Sequence, residues 1–142
     1  MLKIYGVPVS VHTRKVIVAA IEKKLPYEND PVIPFNPPAG WDKLSPTGKI
    51  PVMSDGDFDL ADSSVICAYL EQTHPEPALF PQAAKDRARS SWLEEYCDST
   101  VYRDVIHVQG THLVTFQYEF VGRSTLGEDD FLVLQICPVL DA

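Results

Sequence analysis

The stretch Lys49-Ile50-Pro51-Val52-Met53-Ser54-Asp55-Gly56-Asp57-Phe58-Asp59-Leu60 decides the architecture. An Asp-Gly pair between two short runs is a strong local signal for a tight turn joining antiparallel strands, so residues 49–54 and 57–60 read as a hairpin turning at Asp55-Gly56. Directly after it, Val65, Ile66, Tyr69 and Leu70 recur at helical spacing within residues 62–73, and His74-Pro75 ends that helix. This half of the pattern is strand, strand, helix.

Toward the N-terminus, residues 2–5 are a short apolar run closed by Gly6 and Pro8, and residues 16–21 are an apolar helical stretch with Arg14, Lys15, Glu22, Lys23 and Lys24 at its ends. Pro26 is expected to stop this helix, and residues 27–33 read as a second strand before a loop holding Pro34, Pro37, Pro38 and Gly40. Strand, helix, strand implies parallel pairing with a right-handed crossover. The opening of the chain is therefore a βαβ unit followed by ββα.

Toward the C-terminus, Pro75, Pro77 and Pro81 make residues 75–82 a stiff connector, which sets a first domain at 1–74. Residues 83–107 predict a long helix with Ala88, Trp92, Leu93 and Tyr96 on one stripe and Lys85, Arg87, Glu94 and Glu95 outside it. Residues 108–142 change character. Leu113, Phe116, Tyr118 and Phe120 alternate with polar residues, residues 131–136 read as a buried strand, and together they suggest a hairpin. The fold class is thus α/β: a βαβ-ββα domain, a proline-rich connector, a long helix, and a tail of β character.

At 142 residues the chain has room for one full domain and an incomplete second one, and 45% hydrophobic with 23% charged residues is a globular composition. Twenty acidic against twelve basic residues give a net charge of −8, a field that repels phosphate backbones and anionic lipid. No nucleic-acid or membrane partner is expected. Neither a signal peptide nor a run of 18 apolar residues is present in this sequence. Cys67, Cys97 and Cys137 lack CxxC spacing and suit free thiols in a cytoplasmic protein, and His12, His74, His107 and His112 lack ligand spacing, so no metal is expected.

Three motifs in this order carry a resemblance: Tyr5-Gly6-Val7-Pro8-Val9-Ser10 leading to Arg14-Lys15-Val16; Ser45-Pro46-Thr47-Gly48-Lys49-Ile50-Pro51-Val52; and Leu60-Ala61-Asp62-Ser63-Ser64-Val65-Ile66-Cys67-Ala68-Tyr69-Leu70-Glu71. With them, residues 1–107 resemble the glutathione S-transferase superfamily, serine type and bacterial-like. The resemblance implies a thioredoxin-like first domain that binds glutathione, a helical second domain, a homodimer, and transfer of the glutathione thiol to an electrophilic small molecule. It spans most of this chain but about half of a usual family member, and the strand pattern after His107 falls where the family has helices. Ser10 stands where a reductase-type member has cysteine, so disulfide exchange is not expected.

Residue by residue, the resemblance implies the following chemistry. A free thiol of pKa about 8.5 is only about 3% thiolate at pH 7, and the thiolate is the nucleophile. Lowering that pKa by about two units takes about 2.7 kcal/mol, which a charge-assisted bond from Ser10 (about 1.5–3 kcal/mol) and a helix N-terminus (about 0.3–1 kcal/mol) can supply. Ser10 acts as donor and not as nucleophile, since no His/Asp pair is spaced to activate it. Pro51 is implied to be cis, with the backbone of Ile50 pairing with the ligand's cysteinyl main chain as an added strand. Ser63 is implied to hold the γ-glutamyl carboxylate and Asp62 the ammonium, at the opening of the second helix. Lys49, with Lys43 as a weaker choice, is implied to meet the glycyl carboxylate, with Trp41 covering that end. Each serine and aspartate here is also an ordinary helix cap by composition. A thioredoxin-like interaction module without catalysis, or an inactive shortened member, fits the same residues.

Overall fold

The structure is a computed structural model that describes residues 1–100 and the backbone of 101, 116–119 and 135–138. Sequence expectations for 102–115, 120–134 and 139–142, including those at His107 and His112, lie outside the described residues.

The chain divides into two compact units, Met1–Ala78 and Leu79–Ala142. In the first, strand β1 (Leu2–Tyr5) leads into helix α1 (Val11–Glu22) and strand β2 (Tyr27–Asp30). Helix α2 (Trp41–Leu44) follows, then strands β3 (Val52–Asp55) and β4 (Phe58–Ala61) and helix α3 (Ser63–Thr73). The four strands form one sheet in the order β2-β1-β3-β4, with β1 parallel to β2 and antiparallel to β3, and β3 antiparallel to β4.

Alternation along each strand sorts the core into two faces. The row Tyr5, Val52 and Ala61 belongs to a cluster built on buried Val32, Trp41 and Val52, with Leu44 and Ile50 packed against it. Ile4 and Met53, fully buried, pair on the alternate row, and α1 packs against α3 with Val16, Ala20, Ile66 and Leu70 all at 0% exposure. Burying side chains of that size contributes about 1.5–3 kcal/mol each.

Three element boundaries differ from the sequence reading. The hairpin turns at Gly56-Asp57, one residue later than expected, because Asp55 pairs with Phe58 and Gly56 alone takes positive φ (66°), the geometry of a turn with glycine in its first position. Strand β2 stops at Asp30, where its partner β1 ends at Tyr5: the Gly6 and Val32 N–H groups both donate to the Asp30 carbonyl at 2.8 Å, and the chain turns so that Val32 is buried. Helix α1 ends at Glu22, ahead of Pro26, as Lys24 adopts a left-handed conformation (φ 55°) and the Leu25 N–H closes back on the Ala20 carbonyl at 2.9 Å.

A buried ion pair ties the far ends of α1 and α3. Lys23 Nζ lies 2.7 Å from Glu71 Oε2, with side chains 0% and 4% exposed, and donates to the carbonyls of His74 (2.6 Å) and Pro77 (3.0 Å). All three ammonium protons are used, as a buried charge requires.

In the second unit, helix α4 (Ala84–Tyr96) continues into a wider π-type turn, Cys97–Val101. The helix buries no residue. Trp92 stacks on Tyr96 with ring centres 5.9 Å apart, and the Arg87 guanidinium sits 4.8 Å from the Phe80 ring. Strands β5 (Phe116–Glu119) and β6 (Gln135–Pro138) pair antiparallel. Among the described residues no helix is long and apolar enough to cross a membrane.

Candidate functional site

Register brings three loops to one end of the sheet. Tyr5 closes β1 and pairs with Val52, which opens β3; Val52 pairs in turn with Ala61, which closes β4. The turn after β1, the Ile50-Pro51 step and the start of α3 therefore flank a single row of residues.

Ser10 caps α1 from an extended backbone (φ −68°, ψ 126°), its Oγ accepting from the Thr13 N–H at 3.4 Å. That bond is long, and it uses an oxygen lone pair, leaving the hydroxyl proton to donate elsewhere. Capping and donation are thus compatible in one side chain. The loop ahead of it is held by Gly6, at φ +145°, where an added Cβ would lie 2.4 Å from Thr13 Oγ1 and 3.2 Å from the Ile50 Cβ. Asn29 braces the same turn from β2, donating from Nδ2 to the Ile4 and Gly6 carbonyls at 3.0 Å each.

The Ile50-Pro51 peptide is cis. Ile50 precedes the strand ladder, and its N–H and C=O enter no turn or cap bond among the described residues. The loop before it closes on Ser45, which is 1% exposed: its Oγ donates to the Lys49 carbonyl at 2.7 Å, its N–H donates to the Trp41 carbonyl at 2.8 Å, and its own carbonyl accepts from the Gly48 N–H at 2.9 Å. Lys49 extends from this loop into solvent, and its ammonium has no ion-pair partner among the described residues; Lys43 is exposed on the last turn of α2. Trp41 does not cover an open end. It is 3% exposed and meets Tyr5 edge-on at 6.0 Å, so its volume fills the core cluster.

Asp62 caps α3 with φ 81° and ψ 125°, a positive-φ backbone that side-chain-bearing residues seldom adopt. Its Oδ1 accepts from the N–H groups of Ser64 (3.0 Å) and Val65 (3.2 Å), and its carbonyl from that of Ile66 (2.9 Å). In the first turn of α3 the Ser63 amide is left over, and neither it nor the Ser63 hydroxyl has a partner among the described residues, although Ser63 is only 5% exposed. Behind this turn Lys15, 5% exposed on α1, donates from Nζ to Ser64 Oγ at 3.0 Å.

Sequence reasoning missed Ser45, Asn29 and Lys15. Ser45 opens a Ser-Pro-x-Gly turn, which is a usable signal; Asn29 and Lys15 act through partners remote in the chain and carry none. Among the described residues no group of three or more His, Cys, Asp or Glu is placed to hold a metal ion.

One sheet end thus offers an open backbone pair, two hydroxyls at helix mouths, an open helix amide, an exposed cation and an exposed carboxylate. Residues 4–78 match the family model of the glutathione S-transferase N-terminal domain, and the chain belongs to the glutathione S-transferase family. Its first unit is a thioredoxin-like α/β domain. It is similar to a glutathione S-transferase from Rhodospirillum rubrum F11 (TM-score 0.69, 33% identity, covering 72% of this chain and 47% of that one). A theta class glutathione S-transferase from Xanthomonas axonopodis pv. citri with glutathione bound matches at TM-score 0.64 and 29% identity, over 73% of this chain and 53% of that one. Among curated relatives, glutathione S-transferase hmp2 of Hypomyces subiculosus is 29% identical over 127 residues, 86% of this chain and 59% of its own length. The chain spans about half the length of the proteins it matches.

Proposed function

We propose that this protein binds glutathione along the β1/β3/β4 end of the sheet and holds its thiol as thiolate for conjugation to an electrophilic small molecule. In this reading Ser10 donates its hydroxyl proton to the sulfur, and the N-terminus of α1 adds the positive end of its dipole. Ile50 receives the cysteinyl main chain as an added strand beside the cis Pro51 step. Ser63 takes the γ-glutamyl carboxylate at its unused amide and hydroxyl, Asp62 takes the ammonium, and Lys49 takes the glycyl carboxylate. The glutathione-binding domain is assigned to 1–74, the connector to 75–82 and the opening of the helical domain to 83–107. Family membership extends the reading to a cytoplasmic homodimer.

The observation that carries this function is the set of unused groups at one sheet end: a capping serine whose proton is uncommitted, a backbone pair outside every ladder, and the open amide of α3. A titration of the protein with glutathione, followed by ultraviolet thiolate absorbance across pH, tests it. Thiolate appearing at about one to two pH units below free glutathione, with conjugation of a generic aromatic electrophile, is the expected result. Binding without turnover would instead identify a non-catalytic module, and absence of binding would remove the proposal.

A further inference from the structure

Lys15 is one of the charged residues that flank the apolar stretch of α1. It lies at 5% exposure on α1, and its Nζ donates to the hydroxyl of Ser64 on α3 at 3.0 Å. Ser64 follows Ser63 directly, and its own amide is held by Asp62 at 3.0 Å. A cation bonded into the first turn of α3 reinforces the positive end of that helix, where the Ser63 amide has no partner among the described residues. Asp62, exposed beside it, supplies the opposite charge. Side by side, these groups match an amino-acid head carrying both an ammonium and a carboxylate.

We propose that Lys15 is a positioning residue for the ligand's amino-acid carboxylate, fixing the first turn of α3 through Ser64 and placing its ammonium group behind that turn. This rests on the reading that glutathione occupies this end of the sheet. Lys15 does not touch the ligand. Its effect passes through Ser64 and through the field, which in a partly buried setting of effective dielectric about 20 is felt several ångströms away.

Dissociation constants measured by calorimetry for two ligands test the idea: glutathione, and 4-aminobutanoyl-cysteinyl-glycine, which keeps the amine and thiol but lacks that carboxylate. Lys15→Met keeps the aliphatic stem. It should weaken glutathione about tenfold (about 1.4 kcal/mol) and the analogue less than about twofold, with Lys15→Arg restoring most of the loss. Ser64→Ala carries the same comparison should Lys15→Met not fold. Equal losses for both ligands, or none, would overturn the proposal by reducing Lys15 to a packing residue. Wild-type protein that binds neither ligand would sink the site itself, a result distinct from wild type that binds both with a uniform mutant effect.

Discussion

A single hydroxyl is asked to do two things at Ser10, and its geometry permits both, since the cap uses an oxygen lone pair and the donor uses the proton. Ser10→Ala should therefore separate them. Stability should fall only near the low end of the usual cap range of about 0.5–2 kcal/mol, because the 3.4 Å cap bond is weak, whereas thiolate absorbance of bound glutathione at neutral pH should be lost. A variant whose bound thiol still ionises near neutrality would assign Ser10 to capping alone. Gly6 is constrained more sharply. Gly6→Ala puts a Cβ 2.4 Å from Thr13 Oγ1 at φ +145°, so a lowered urea midpoint is expected, worth about 1–3 kcal/mol, together with weaker glutathione binding as the Ile50 side is pushed outward. At alkaline pH another pair of residues takes over. The Tyr69 hydroxyl donates to Asp55 Oδ2 at 2.9 Å, which, chiefly through that bond, holds its pKa above the ordinary phenol value; Lys3 is raised likewise, chiefly by its bond to Asp30. Groups raised on folding stabilise fully below their unfolded pKa and lose that contribution as pH climbs through the folded value. The urea midpoint should thus hold up to about pH 10 and fall above it, and in Tyr69→Phe that alkaline fall should be smaller.

At the scale of elements, the buried Lys23–Glu71 pair joins α1, α3 and the carbonyls of His74 and Pro77. Lys23→Met would strand a carboxylate that is 4% exposed, at a cost of about 3–5 kcal/mol, while Lys23→Met combined with Glu71→Leu should recover most of it. Chemical denaturation of the two variants decides this, and equal midpoints would show that the pair is not coupled. The same pair marks where sequence stops being legible. Strands, the β3–β4 hairpin and both long helices of the first unit follow from local periodicity and turn chemistry, and the places of Ser10 and Ser63 at helix mouths follow from where helices begin. Lys15 and Lys23 look like solvated ends of an apolar stretch, because their partners stand 49 residues away at Ser64 and 51 at the His74 carbonyl. Helix α2, four residues in a proline-rich loop, is too short to show a period, and the cluster that buries Trp41 draws on Tyr5, Val32 and Val52 from other elements. β2 ends where β1 does, a property of the pair. That Ser10, Ile50 and Ser63 share one sheet end emerges only from register.

For the whole molecule, the two tryptophans report on different units. Trp41 is 3% exposed inside the first, and Trp92, 63% exposed, lies on α4 of the second. Iodide, which does not enter a close-packed core, should quench one emitting population and spare the other, giving a downward-curving Stern–Volmer plot. Trp92→Phe should leave only the protected emission, and glutathione binding should then be visible as a change in that signal alone, since Trp41 packs in the cluster that includes Ile50. The same probe separates the units energetically. If Trp41 and Trp92 emission shift at the same urea concentration, the chain unfolds as one cooperative body; if Trp92 responds first, the second unit is the weaker, as expected for a helix that buries none of its residues. Loss of the Trp92 transition with glutathione affinity intact would assign binding to the first unit by itself, and a parallel loss of both would mean that the site depends on the second.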